Sequence, residues 1–464
     1  MMFVGRENEL RELEERYGRE GAQLVVLYGK RRLGKTALLR EFARNKAHLF
    51  YVSRETIDSE QIRLFSQEVL KDSPVGEYLA SFDSWEKAFR FLSHEAKGRR
   101  ILLIIDEFPY MAQNNKELLS ILQNIWDQEE EDSRLMLVLT GSSLSYMEEQ
   151  VLGEESPLYG RTSASIRLEA LTFREAALLL PGFGLEDQLA AFAILGGIPR
   201  YLRSLDQKIS FRENMEQNLL NPYSFLSQEV SLLMREDLRE PSTYYAILSA
   251  IAAGNTAIKD IAGATGLDKT KVNVYLKSLM QLNIISKAVP LLLPGEKGNQ
   301  HRSMYRFLEP YFRFYFRYMI PNLSLAETLP PVEFYKACLE ESLNSFIEEA
   351  FQDAALQLLK ERNAKGQLAI TCQEIGTTWN DKVRLDIFGF SQDGAILSGK
   401  AFYQRIPSHR DIEEIRQKVA LYTGDPTSSP HCYLILSREP GPELHQLESL
   451  DPTLHLIILP EERG

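Results

Sequence analysis

Cysteine is scarce in this sequence: three among 464 residues, at Cys338, Cys372 and Cys432. An odd, scattered set neither builds a disulfide framework nor offers the paired spacing of a zinc site. It predicts reduced thiols in a cytoplasmic chain. Long apolar runs are missing too, and none approaches the ~20 residues of a membrane-spanning helix. The opening residues, Met1-Met2-Phe3-Val4-Gly5-Arg6-Glu7, lack a basic stretch followed by an apolar one, so no export signal is predicted. Positive charge is in short supply. Lys and Arg number 53 against 65 Asp and Glu, for a formal net charge of −12. That balance argues against bulk electrostatic binding of nucleic acid but leaves room for a local basic surface. The rest is ordinary globular composition, 44% hydrophobic and 25% charged, in a length that suggests about three domains.

One segment stands apart from this background. Gly29-Lys30-Arg31-Arg32-Leu33-Gly34-Lys35-Thr36 fits the pattern GxxxxGK[ST], with the apolar run Leu24–Tyr28 before it and a helical segment from Ala37 after it. Strand, glycine loop and helix curl backbone N–H groups around a triphosphate at a helix N-terminus. The predicted ATP contacts are Gly29, Arg32, Gly34, Lys35, Thr36 and Ala37. Lys35 reaches the β- and γ-phosphates, and the Thr36 hydroxyl ligates Mg²⁺. A chance match in a plain βα turn is the competing account, and the flanking strand and helix count against it.

From Leu24 to about Leu168, apolar runs alternate with helical patterns, as in a parallel α/β sheet. Strands are predicted at Leu24–Tyr28, His48–Val52, Ile101–Ile105, Leu135–Thr140 and Ser165–Leu168. Predicted helices include Gln61–Leu70, Ser84–Lys97 and Lys116–Gln128. Ligands bind at the carboxyl ends of such strands. The third strand ends in Asp106-Glu107, where Asp106 suits Mg²⁺ as a hard oxygen ligand and Glu107 suits polarising the attacking water. The fourth ends in Leu139-Thr140-Gly141-Ser142-Ser143. There Thr140 or Ser142 is a candidate for a polar contact beside the γ-phosphate, while Ser142 or Ser143 equally suits capping the next helix. Arg161 reads either as an arginine finger reaching across a subunit interface, which implies a homo-oligomer, or as a surface arginine. In Gly196-Gly197-Ile198-Pro199, the Pro199 ring suits an adenine face, and a simple helix break explains the same residues. The predicted catalytic set is thus Lys35, Glu107, Thr140 and Arg161.

Taken in order, these segments resemble the prokaryotic archaeal-type AAA ATPases, relatives of the STAND signalling NTPases and the origin-recognition initiators. The resemblance includes the opening box Phe3-Val4-Gly5-Arg6-Glu7-Asn8-Glu9-Leu10, the basic glycine loop, Asp106-Glu107, Tyr159-Gly160-Arg161 and Gly196-Gly197-Ile198-Pro199, and covers roughly the first 230 residues. It implies the additional-strand class of P-loop sheet, adenine contacts near Val4 and Pro199, and ATP hydrolysis. Glu7 to Arg16 would also pass for a charged amphipathic helix.

Farther on, Tyr244–Ala288 reads as helix, short helix, turn and long helix, a helix-turn-helix pattern. Ile247, Ile251 and Ile258 form one apolar face, and Val272, Leu276 and Leu279 point inward from the segment Lys269–Leu282. Ile284–Pro294 with Tyr305-Arg306-Phe307 forms the candidate wing hairpin. Lys269, Thr270, Lys271, Asn273 and Lys277 are suitable types for double-stranded DNA; packing on the ATPase core, as in related ATPases, is the alternative. The aromatic run Tyr305–Phe316 reads as core with a basic rim, or as a base-stacking surface. It resembles the entry to a C-terminal domain that accompanies this ATPase family and looks like the PD-(D/E)xK nucleases. That fold holds Mg²⁺ on a helix Glu, a strand Asp and an acid-x-Lys strand. Glu348 or Glu349 and Asp386 fit the first two, but Lys400 and Phe402 stand where the acid and lysine belong. A cation in place of a ligand repels a divalent ion, so a non-cleaving remnant is predicted.

The expected architecture is an ATPase core over 1–170, a helical lid over 171–238, a winged helix-turn-helix over 239–318 and a restriction-endonuclease-like α/β domain over 319–464. The expected function is a Mg²⁺-dependent ATPase acting as a nucleotide-driven switch with an unknown protein partner. The alternatives are a nuclease under ATPase control and a non-hydrolysing ATP binder.

Overall fold

The computed structural model describes residues 3–71, 73–129, 133–237, 241–295 and 303–459. The chain divides into two compact units, Met1–Leu171 with Ile198–Arg200, and Thr172–Gly197 with Tyr201–Gly464. Among the described residues, no helix is long and apolar enough to cross a membrane.

The first unit is built on a five-stranded parallel sheet: β1 (Gln23–Tyr28), β2 (His48–Val52), β3 (Ile101–Asp106), β4 (Leu135–Gly141) and β5 (Ala164–Arg167). Their order is β2-β3-β4-β1-β5. Leu24–Leu27, Leu102–Ile105 and Met136–Leu139 are fully buried, as continuous apolar strands covered on both faces should be. The strand that intervenes in sequence between the glycine loop and the acid pair, β2, lies at the edge. The later β4 fills the space between β1 and β3. Because all five run parallel, the chain after β1, β3 and β4 emerges at one end of three neighbouring strands. The helix Trp85–Glu95 shows how the cover forms: Ser84 accepts from the Lys87 amide as N-cap, and Trp85, Ala88, Phe89 and Leu92 bury one face.

In the second unit the helix Leu185–Leu195 packs against the long helix Leu343–Ala364 and against Pro310–Phe314. Three helices, Pro241–Ala252, Ile258–Thr265 and Lys269–Gln281, are followed by an antiparallel pair, β6 (Ile285–Ala288) and β7 (Met304–Phe307). Gly266 ends the middle helix at φ 69°, and Val272, Leu276 and Leu279 are fully buried. The aromatic run is core: Tyr305, Tyr311, Phe312, Phe314, Tyr315 and Phe316 are all buried.

One expectation needs correcting. The chain from Ile284 to Pro294 does not continue as a wing strand, for β6 ends at Ala288. Val289–Leu293 leaves the ribbon as a strap on the C-terminal sheet. The Leu291 amide donates to the Thr377 carbonyl (2.9 Å), and its carbonyl accepts from the Thr378 hydroxyl (2.6 Å) and the Tyr422 hydroxyl (3.0 Å). The Leu291 side chain joins a cluster with Val383, Leu385, Phe388, Phe390, Val419 and Tyr422. Pro290 and Pro294 disfavour a continued ladder, and an apolar Leu-Leu-Leu segment is better covered than left in a wing.

The C-terminal sheet has the order β12-β11-β10-β9-β8, from β8 (Cys372–Trp379), β9 (Arg384–Ser391), β10 (Ile396–Phe402), β11 (His431–Leu436) and β12 (Leu454–Ile458). The first three form an antiparallel meander; β10, β11 and β12 run parallel. With the long helix before β8 and His409–Thr423 between β10 and β11, this is a helix, three strands, helix, strand arrangement, the α/β C-terminal fold expected.

Candidate nucleotide site

The glycine loop is shaped by three unusual backbone positions. Gly29 has φ 155°, and a β-carbon there would lie 2.5 Å from the Leu168 carbonyl oxygen, so the turn out of β1 requires glycine. Arg32 (φ 72°) and Gly34 (φ 92°) complete the loop. The helix Lys35–Ala43 starts at once, with Gly34 as an N-cap that offers no side-chain acceptor. Its first-turn amides therefore face an anion-favouring helix end. Lys35 is only 5% exposed, and its Nζ donates to the carbonyls of Gly29 (2.7 Å) and Lys30 (3.0 Å). Burial draws its pKa below the ordinary lysine value, Glu107 and Asp106 push it back up, and Arg31 adds to the lowering. A triphosphate would give this desolvated ammonium a full negative partner.

Beside the loop, the acid pair at the end of β3 is held by hydroxyl groups. Asp106 is buried; its Oδ2 accepts from the Thr36 hydroxyl (2.6 Å) and its Oδ1 from the Thr140 hydroxyl (2.5 Å). The Thr140 hydroxyl also accepts the Glu107 amide (3.3 Å). Glu107 sits at φ 54°, a left-handed turn that swings its side chain out of the strand's alternation. Its Oε2 accepts from both the amide (3.1 Å) and the hydroxyl (2.8 Å) of Ser142.

These residues fit Mg²⁺. The Thr36 hydroxyl and the Asp106 carboxylate form an adjacent hard-oxygen pair. Among the described residues no group of three or more His, Cys, Asp or Glu side chains could hold a metal. A cation held by one hydroxyl, one carboxylate, substrate phosphates and water is the usual magnesium arrangement.

Strand order thus brings together Lys35, Thr36, Asp106, Glu107 and Thr140. Other predicted residues lie elsewhere or are otherwise engaged. Arg161 forms a fork with Asp127, Nε to Oδ1 at 2.6 Å and Nη2 to Oδ2 at 2.8 Å, and this hydrogen-bonded pairing holds the Asp127 carboxyl below its usual range. Pro199 opens the short helix Pro199–Leu202, and Ile198–Arg200 belongs to the same compact unit as the loop. Val4 is half-buried. Ser143 is the N-cap of the short helix after β4 but makes no side-chain capping bond. Sequence reasoning passed over Arg6. Buried at φ 73°, it donates to the Glu169 carbonyl (2.5 Å) and the Leu33 carbonyl (3.4 Å) and pairs with Glu9, tying the opening box to the glycine loop.

In the C-terminal domain, pairing between β9 and β10 stops at Ile387 and Gly399, just short of Asp386 and Lys400. The Gln352 side chain instead satisfies both the amide and the carbonyl of Ala401 (2.8 Å each). Asp386 is paired with Arg384 (2.9 Å).

The comparisons with known proteins agree with this geometry. Residues 3–205 match a family model described as an ATPase domain predominantly from Archaea. Residues 315–415 match a model of archaeal and bacterial proteins of unknown function. An uncharacterized protein of Methanocaldococcus jannaschii is 31% identical over 393 residues, 84% of this chain and 85% of that one. The chain belongs to the archaeal-type P-loop ATPases. Another similar protein of this kind, an uncharacterized ATP-binding protein of Pyrococcus abyssi, is 29% identical over 236 residues, 46% of this chain and 72% of its own length. Among solved structures, a Walker-type ATPase of Pyrococcus abyssi aligns with a TM-score of 0.49 at 22% identity, covering 68% of this chain and 96% of that one.

Proposed function

We propose that this P-loop ATPase hydrolyses ATP with Mg²⁺ in the cytoplasm and uses its nucleotide state as a conformational switch. The observation that carries the reading is the placement of Asp106, Glu107 and Thr140 at one sheet end beside Lys35 and Thr36. Lys35 would exchange two loop carbonyls for the β- and γ-phosphates. Bound Mg²⁺ would supply charge neutralisation at the Thr36 and Asp106 oxygens. Glu107 would accept a proton from the attacking water as its oxygen bonds to the γ-phosphorus. The bond to the β–γ bridging oxygen breaks, and ADP departs with that electron pair. Val4 and Pro199 are the proposed adenine neighbours. A trans role for Arg161 would require it to leave Asp127. Calorimetry tests the binding step: Lys35→Ala should lose measurable ATP affinity, and wild-type affinity would refute the site.

Double-stranded DNA is the proposed macromolecular partner of the helix Lys269–Gln281, whose Lys269, Thr270, Lys271 and Lys277 are exposed while its opposite face is buried. Replacing the three lysines by alanine should weaken DNA binding and flatten its log–log salt dependence by roughly one unit for each lysine that neutralises a phosphate. An unchanged salt slope would remove DNA from this account. Cleavage is not part of the proposal, because Lys400 occupies a ligand position and Asp386 is committed to Arg384.

A further inference from the structure

We propose that the C-terminal domain acts as a brake on nucleotide release, holding the helix Leu185–Leu195 by a polar latch at Glu186; the inference rests on the ATPase reading above. The latch is built where two neighbouring parallel strands end. Past β10 the chain turns through Tyr403 and Gln404, and past β11 it continues as Ser437 and Arg438. The Glu186 carboxylate accepts from Arg438 Nε on one oxygen and from Gln404 Nε2 (2.9 Å) on the other. Its backbone carbonyl accepts from the buried Tyr403 hydroxyl (3.4 Å). Gln404 sits at φ 55°, a left-handed turn that costs a residue with a side chain free energy. The turn is held in place: the Gln404 amide donates to the Ser437 hydroxyl (3.0 Å), and its carbonyl accepts from Arg438 Nη1 (3.4 Å). The hydrogen bond from Arg438 keeps the Glu186 carboxyl below its usual range.

The latched helix leads in sequence to Pro199, the proposed adenine neighbour. It ends at Gly196, at φ 66°, where a β-carbon would lie 3.1 Å from the Pro310 ring, so the chain needs glycine to turn there. The next step, Gly197 to Ile198, is where the chain passes from one compact unit to the other. Eleven helical residues make a rod of about 16 Å, and a shift at Glu186 reaches that junction undiminished. Along its length the helix buries Ala190, Ala191 and Ala193, and the long helix it packs against buries Ala350, Ala354 and Ala355. Small side chains interlock little, so a helix of this kind slides in shear unless its end is fixed. Glu186 fixes it. The latch can also open, because the Arg438 side chain is 50% exposed and exposed ion pairs are weak. Closed, it keeps the helix and Pro199 in place and ADP leaves slowly; open, it lets the helix slide and ADP leaves faster. A domain with Lys400 at a ligand position thereby keeps a task that needs no metal.

The test uses the full chain and the release rate of a fluorescent N-methylanthraniloyl derivative of ADP, with hydrogen exchange at the Gln404 amide as a readout that needs no turnover. Arg438→Ala should speed release about 5-fold and speed exchange at Gln404, with the thermal unfolding midpoint little changed. Glu186→Gln should do the same. The reversed pair, Glu186→Arg with Arg438→Glu, should bring release back toward the wild-type rate, which a merely loosened fold would not do. Wild-type release in both single variants would overturn the brake. So would faster release that the reversed pair fails to restore, which would mark general loosening. A wild-type chain that does not bind the ADP derivative would instead defeat the ATPase reading, and the brake with it.

Discussion

At the residue scale, Lys35, Thr36, Asp106, Glu107 and the Thr140 that braces the acids were named from the sequence, whereas the Arg6 tether and the left-handed turn at Glu107 were not. Gly29, Gly34, Lys35 and Thr36 carry their role in their spacing, and Asp106-Glu107 in their position after an apolar strand. The tether Arg6 and the turn at Glu107 depend on left-handed backbone at non-glycine residues, which no periodicity announces. Ser142 and Ser143 look alike in sequence, and only the fold shows that the first meets Glu107. Arg161 shows the reverse problem. Its partner Asp127 is 34 positions earlier, so a surface ion pair and a catalytic finger are indistinguishable until the fold brings the two together.

At the scale of elements, all five core strands were readable to within a residue at each end, and β1, β3 and β4 most plainly because buried parallel strands are continuous apolar runs. β5, an edge strand of four residues, shifted by one. The hairpin after the third helix ends at Ala288, earlier than expected, for a physical reason. An apolar stretch predicts burial but does not say against what, and Leu291 is buried against the C-terminal sheet rather than in its own hairpin. The strap covers an exposed sheet edge and fastens the three-helix segment to the C-terminal sheet. Leu291→Ala should therefore lower stability toward urea by about 3 kcal/mol and speed hydrogen exchange in β8 around Thr377 and Thr378. A change under about 0.5 kcal/mol with unaltered exchange would mean the strap is incidental.

For the whole molecule, composition gave an ordinary globular balance of apolar and charged residues and went no further; motif order then supplied the ATPase core. Thr172–Gly197 and Tyr201–Gly464 form one compact unit. Shared packing of Leu185–Leu195 on Leu343–Ala364 and the Leu291 strap account for this, since both join segments far apart in the chain and leave no mark on local sequence. The proposed switch depends on turnover, which makes hydrolysis itself the central claim. The most direct measurement is Mg²⁺-ATP turnover by Glu107→Gln beside wild type, with ATP affinity measured on the same samples. Affinity should be retained and turnover should drop by at least ~100-fold; turnover at the wild-type rate would contradict the account.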